Sequence, residues 1–232
     1  MEQIKPFSDR RFDDMCAYCG NNANPPTRDH IPSKILLDKP FPDNLPVTLA
    51  CLSCNIDFSL DEEYLACLIE CVLCGTTNPA KLKRPEIRTI LSKKGALKER
   101  LEKATILVSD NTVFIPEEQR VKNVIIKLAK GHARFENSEP ETNPPTQVWF
   151  GALATMPKQR KDHFLLNKEL KLFPEIGSRS FQTIHVNKKG IPISNWKIVQ
   201  PNNYEYSVCH DENGLGVRIV IRGYLACEAI WN

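Results

Sequence analysis

Two Cys-x-x-Cys pairs constrain the fold of this chain more than any other feature of its sequence. Cys16 and Cys19 form the first pair, and Cys51 and Cys54 form the second. Four thiolates are enough to complete one tetrahedral zinc site, whereas the alternative is two pairs of buried thiols without a metal. The pairs are separated by 31 residues, more than the roughly 15–20 of a plain zinc ribbon. We therefore expect a zinc ion that closes a loop with a function of its own.

The loop between the pairs carries residue types that bind hard metal ions and activate water. Asp29 and His30 are adjacent, and Asn44 follows them before the second pair. Carboxylate and amide oxygens are ligands for hard cations, and a neutral imidazole is available as a base near pH 7. Because adjacent residues of a strand point to opposite faces, Asp29 and His30 reach one site only if the strand bends between them.

The order of these residues resembles that of the HNH nuclease family, the ββα-metal endonucleases. The motifs that carry the resemblance are, in chain order, Cys16-x-x-Cys19, Asp29-His30-Ile31-Pro32, Asn44 and Cys51-x-x-Cys54-Asn55. Two later segments, residues 58–64 and Lys130-Gly131-His132, indicate a bacterial branch of that family. The resemblance implies an α+β fold whose zinc-stapled ββα-metal core is two strands and a helix held together by the four cysteines.

The resemblance also assigns roles to individual residues. It makes His30 the general base, gives Asn44 the task of orienting the His30 ring, and makes Asp29 and Asn55 ligands of a catalytic Mg²⁺ or Mn²⁺ ion. The alternatives are a histidine satisfied at a strand end, a turn residue at Asn44 and a helix N-cap at Asn55. The chain departs from the family pattern at Phe58, where relatives often carry lysine three residues after the asparagine.

Basic residues near the Asp-His pair suggest contact with a nucleic-acid backbone. Arg28 and Lys34 flank the pair, and we expect them to hold the scissile strand of double-stranded DNA. A second candidate is the stretch 81–103, which contains nine Lys or Arg and three Glu. That stretch is an equally good candidate for an ordinary solvated helical surface.

Net charge and hydropathy say less than the motifs about the partners and the location of the protein. The formal net charge of +3 permits nucleic-acid binding without demanding it. The N-terminus has no apolar signal core, and no apolar run approaches membrane-spanning length. We therefore expect a cytoplasmic protein without a membrane partner, in which the nine cysteines are metal ligands or buried thiols.

The chain is expected to contain three segments. Residues 1–77 would form the nuclease core, residues 78–136 a helical extension, and residues 148–232 a β-rich C-terminal module of unknown role. Turn-rich residues 137–147 would link the last two. This organisation predicts an α+β protein with a helical middle and a strand-rich C-terminal region.

Local signals define several element boundaries. Ser59 and Glu62 have the spacing of a capping box, which predicts a helix from about Leu60 to Leu73. Gly131 is expected to end the helix that follows Pro116. Residues 181–186 read as a strand. A hairpin at residues 211–214 would place Cys209 opposite Gly216 and thereby separate it from Cys227.

Two functions from different classes fit these observations. The first is a metal-dependent HNH endonuclease that hydrolyses phosphodiester bonds in DNA, and the resemblance would place it in phage defence or on a mobile element. The second is a catalytically silent zinc-stapled module that binds nucleic acid or protein. In either case, the C-terminal module is expected to be the docking site for any protein partner.

Overall fold

A computed structural model describes residues 7, 9–108, 111–212 and 214–232. The chain divides into two compact units. The first unit contains the residues up to Asp57 together with Ile125–Asn232, and the second contains Phe58–Val124. These boundaries differ from the expected segments because the cysteine-rich N-terminal region and the strand-rich C-terminal region fall into the same unit.

The chain is of mixed α and β structure. The α-helices of the described residues are α1 (Leu52–Asp57), α2 (Ser59–Cys74), α3 (Pro85–Lys93), α4 (Gly95–Lys103), α5 (Glu118–Asn137), α6 (Lys158–Leu165) and α7 (Arg179–Gln182). The strands are β1 (Pro26–His30), β2 (Val47–Cys51), β3 (Thr105–Val108), β4 (Asn111–Phe114), β5 (Gln147–Ala152), β6 (His185–Val186), β7 (Pro192–Ile193), β8 (Lys197–Gln200), β9 (Tyr204–Asp211), β10 (Gly214–Ile221) and β11 (Leu225–Trp231). No helix in the described part of the chain is long and apolar enough to cross a membrane.

The N-terminal part of the first unit is an antiparallel hairpin followed by a short helix. Strand β1 pairs with β2 so that His30 lies opposite Val47 and Pro26 lies opposite Cys51. Helix α1 begins directly after β2. The burial of β1 alternates, with Asp29 buried while Arg28 is exposed. The two strands and the helix therefore follow one another in the expected order, and adjacent β1 side chains lie on opposite faces.

The C-terminal part of the first unit is an antiparallel sheet with the strand order β5-β11-β10-β9-β8. One of its faces contacts α5: His132 on that helix forms a hydrogen bond with Tyr204 of β9, and its ring stacks on that of Tyr206 of the same strand. On the other face, Phe164 of α6 packs with Val220 and other buried residues. The sheet is thus covered on both faces, which explains why β10 and β11 are almost continuously buried.

Two expectations for the C-terminal region have different outcomes. The β9–β10 register places Cys209 opposite Gly216, as predicted, and all nine cysteines are free. The strand predicted at residues 181–186 is wrong, because Phe181 lies in α7 and only His185–Val186 forms a strand. The side chain of Ser178 caps α7 by accepting a hydrogen bond from the Phe181 backbone N–H, a local signal that favours helix over strand.

The second unit consists of helices α2 to α4, the β3–β4 hairpin and the first turns of α5. Strands β3 and β4 pair as an antiparallel hairpin, and its turn at residues 109–110 lies outside the described residues. The capping box is wrong, because Ser59 is already helical and the N-cap residue is Phe58, which makes no side-chain cap. Helix α2 ends before Gly75, which adopts a φ of 63°, as a glycine at a helix C-terminus readily does.

The expected helix end at Gly131 is also wrong, because α5 continues through it to Asn137. Gly131 lies against the side chain of Ile31 within the first unit. A Cβ atom at residue 131 would come within 2.6 Å of Ile31 Cδ1. The glycine therefore allows α5 to lie close to the residue that follows β1, and it is not a helix C-cap.

Candidate functional site

The four motif cysteines come together at the base of the β1–β2 hairpin. Cys16 and Cys19 precede β1, Cys51 ends β2, and Cys54 lies in α1. Their four sulfur atoms all lie within 4.8 Å of one another, and Cys19 Sγ is 4.0 Å from Cys51 Sγ. Zn–S bonds of about 2.3 Å in a tetrahedron require sulfurs ~3.8 Å apart. The donor set and its spacing fit a structural zinc site.

Hydrogen bonds prepare individual thiols of this cluster for metal binding. The Tyr18 backbone N–H donates to Cys16 Sγ over 3.4 Å. Ser53 Oγ lies 3.3 Å from Cys51 Sγ, and this bond together with the Cys54 backbone N–H lowers the pKa of the Cys51 thiol to about 6. Burial raises the pKa of Cys16, a cost that a bound cation would offset.

A cleft on the outer face of the hairpin gathers four of the predicted site residues. Its volume is about 420 Å³. We call it the His30 cleft. It is lined by Arg28, His30, Lys34, Phe41, Pro42, Asp43, Asn44, Leu45 and Val47. The expected base, its expected orienting amide and both expected phosphate-binding cations thus share one concave surface.

The environment of His30 keeps its imidazole neutral. The side chain is half-buried in the cleft. Burial lowers the pKa of His30, and the nearby positive charge of Lys34 lowers it further. A neutral ring at pH 7 can accept a proton, as a general base must.

Asp29 lies on the opposite face of β1 from the cleft. Its carboxylate is buried, and the Tyr18 hydroxyl donates to Oδ2 over 2.6 Å. Lys127 Nζ of α5 forms an ion pair with the same oxygen at 2.9 Å. Strand β1 has no bend that would turn the Asp29 side chain toward that of His30, and Asp29 does not line the cleft.

Asn55 does not line the cleft beside His30 but forms a hydrogen bond within the hairpin region. It lies within α1, and its Nδ2 donates to Thr27 Oγ1 over 3.2 Å. Thr27 in turn donates to the Ala50 carbonyl across the hairpin over 2.8 Å. Asn55 therefore ties α1 to the face of β1 that also carries Asp29.

The arrangement of Asp29 and Asn55 does not fit a divalent-metal site. A hard cation needs carboxylate oxygens that are accessible and not already neutralised. Here Lys127 places a positive charge directly on Asp29, while Asn55 presents its donor nitrogen to Thr27. As arranged here, Asp29 and Asn55 therefore do not present a pair of oxygen ligands to Mg²⁺ or Mn²⁺.

Sequence reasoning missed Tyr18 and Lys127 as partners of Asp29. Tyr18 lies between the first two cysteines, and nothing in the Cys-x-x-Cys pattern indicates a role for the residues between the ligands. Lys127 lies among the apolar positions of α5, between the buried residues Ile125 and Leu128. A lysine on an apolar helix face is a signal for a buried acidic partner.

The chain was compared with protein-family models, with curated proteins and with solved structures, and no match was found.

Proposed function

We propose that the protein is an endonuclease that hydrolyses phosphodiester bonds of DNA in the His30 cleft. The observation that carries this proposal is the convergence of His30, Arg28, Lys34 and Asn44 on one cleft. A neutral base next to two cations is a combination that supports water attack on a phosphate diester.

The reaction assigns a separate task to each residue. His30 takes a proton from a water molecule while the oxygen of that water attacks phosphorus. The bond from phosphorus to the 3′ oxygen then breaks, and the leaving oxygen takes a proton from solvent. Arg28 and Lys34 balance the negative charge that grows on the phosphate oxygens, and Asn44 at the exposed rim orients the ring of His30.

Zinc has a structural role in this proposal. Four protein ligands leave no open coordination position for substrate. The ion would connect the segment before β1, the end of β2 and α1, and so hold the hairpin that forms one wall of the cleft.

Conversion of supercoiled plasmid to nicked or linear DNA tests the proposal. The zinc-loaded protein is assayed with and without added Mg²⁺ or Mn²⁺, and an RNA of matched length is assayed in parallel. His30→Ala should lose cleavage, whereas His163→Ala, at an exposed position on α6, should retain it. Full cleavage by His30→Ala would refute the role of His30.

The burial of Asp29 also favours the second candidate function, a zinc-stapled module that binds nucleic acid without cutting it. In that case the same cleft binds a phosphate through Arg28 and Lys34, and His30 supplies a hydrogen bond. DNA binding without cleavage under every metal condition would identify this function.

A further inference from the structure

A buried ion pair lies behind the His30 cleft. The side chain of Lys127 is 2% exposed and that of Asp29 is 9% exposed, and the two are 2.9 Å apart. Burying either charge alone would be costly, whereas a close pair with further hydrogen bonds is tolerated. The pair is therefore part of the folded state of the first unit and not a surface contact.

Two further segments of the first unit supply the surroundings of this pair. Tyr18, from the turn between the first two cysteines, donates its hydroxyl to Asp29, and its ring lies 5.7 Å from Lys127 Nζ. Ser33, which follows β1, has its Oγ 3.4 Å from the same nitrogen. The ammonium group thus has an anion, a hydroxyl and an aromatic face as neighbours, each of which favours a cation.

A divalent ion at Asp29 would have to compete with this ammonium group. Mg²⁺ binds carboxylate oxygens at about 2.1 Å and retains several water molecules. Lys127 and Tyr18 already contact Oδ2, one of the two Asp29 oxygens that could hold such an ion. A second cation at either carboxylate oxygen would also be repelled by Lys127 at close range.

We propose that Lys127 is the resident cation of Asp29, so that this chain binds no divalent metal ion through Asp29. Asp29 is then a positioning residue that fixes β1 from its inner face while His30 faces the cleft. The exclusion of the metal ion rests on the ion pair alone, and only the positioning role rests on the proposed nuclease function.

Manganese binding to the zinc-loaded full chain, measured by electron paramagnetic resonance without DNA, tests this inference. Wild type and Asp29→Asn should bind Mn²⁺ equally weakly. Lys127→Met should bind at least tenfold more tightly, and the double variant with Asp29→Asn should lose that gain. Lys122→Met, on the same helix at a solvent-exposed ion pair with Glu118, is the matched control and should behave as wild type.

Either of two results would overturn the inference. One is tight Mn²⁺ binding by wild type that Asp29→Asn abolishes. The other is a folded Lys127→Met protein, verified by circular dichroism, that gains no binding. If Lys127→Met does not fold, the comparison of wild type with Asp29→Asn decides by itself. Because the measurement contains no DNA, its outcome is independent of whether the protein cleaves DNA.

Discussion

Arg28 and Lys34 are exposed at the His30 cleft, where a DNA backbone would contact them. We expect Arg28→Ala and Lys34→Ala each to weaken DNA binding to the same extent on unrelated sequences. Each should also reduce the slope of log K against log salt by about 0.9, because one phosphate contact is lost. Fluorescence anisotropy over a salt series measures both effects. Lys188→Ala, at an exposed position far along the chain, should leave the slope unchanged, and an equal change there would contradict a localised contact.

At the residue scale, the sequence identified the cysteine cluster and the residues of the cleft because their motifs are local. The four cysteines do come together, and His30, Asn44, Arg28 and Lys34 do share one surface. The surroundings of Asp29 could not be predicted in the same way. Its cationic partner, Lys127, lies in a distant helix, and only the tertiary fold brings it to β1.

The cysteine cluster joins three local elements whose own interactions are few. A two-stranded hairpin is marginally stable alone, and α1 has only six residues. We expect one zinc ion per chain by elemental analysis. Its removal by a chelator should lower Tm by ~10 °C or more, since structural zinc contributes on the order of 10 kcal/mol to the folding of small zinc domains.

Single cysteine substitutions provide the control for this expectation. Cys51→Ser should abolish stoichiometric zinc, while Cys74→Ser on α2, outside the cluster, should retain it. Zinc retained in full by Cys51→Ser, or zinc absent from wild type, would contradict the assignment.

Because Gly131 lies inside α5, its substitution tests how closely that helix packs. Alanine would ordinarily stabilise a helix relative to glycine by roughly 0.5–1 kcal/mol. At residue 131, however, the new methyl group would overlap Ile31, so we expect Gly131→Ala to destabilise the protein by about 1–3 kcal/mol. Gly95→Ala in α4 meets no atom within 4 Å and should be neutral or stabilising. Urea denaturation compares the two, and equal effects would contradict the packing argument.

Element boundaries were predictable where backbone conformation sets them and less so where packing does. Gly75 ends α2 because it adopts a left-handed conformation, which sequence patterns anticipate. Gly131 and Ser59 also carry local boundary signals, but the structure departs from both. Gly131 packs closely against Ile31 inside α5, and α2 already begins at Ser59, with Phe58 as its N-cap.

At the scale of the whole molecule, a buried polar cluster connects α5 to the C-terminal sheet of the first unit. His132 is fully buried, its Nε2 lies 2.8 Å from the Tyr204 hydroxyl, and its ring stacks on Tyr206. Tyr206 donates to Glu136 over 2.6 Å, and Lys197 of β8 forms an ion pair with that carboxylate. Burial, and then the charge of Lys197, lowers the pKa of His132 well below its usual value.

This cluster makes the stability of the protein depend on pH. The folded protein keeps His132 neutral, whereas the unfolded chain protonates it below about pH 6.5. Stability is therefore lost as pH falls below that value, by up to about 1.4 kcal/mol per pH unit from this residue. Denaturation midpoints of His132→Gln should show a correspondingly shallower dependence, and exposed His163→Gln should match wild type. Identical slopes for wild type and His132→Gln would contradict this account.

The composition of the units was not predictable from segment order. The linker expected at residues 137–147 corresponds to residues 138–146, between α5 and β5. Lys130 of α5, however, donates to both the Tyr18 and the Thr142 carbonyls. The linker thus contacts the cysteine-bearing turn, and this helps to place the N- and C-terminal regions in one unit. Sequence patterns report where chain segments change character, whereas such long-range contacts decide which segments fold together.

The rate of plasmid nicking as a function of pH tests the central claim most directly, because the claim is that neutral His30 activates water. Wild type should nick at a constant rate from about pH 8 down to about pH 6.5 and slow only below that, since burial lowers the pKa of His30. His30→Ala should be inactive throughout. Equal rates for the two proteins, a wild-type rate that already falls above pH 7, or no nicking by wild type at any pH would contradict the account.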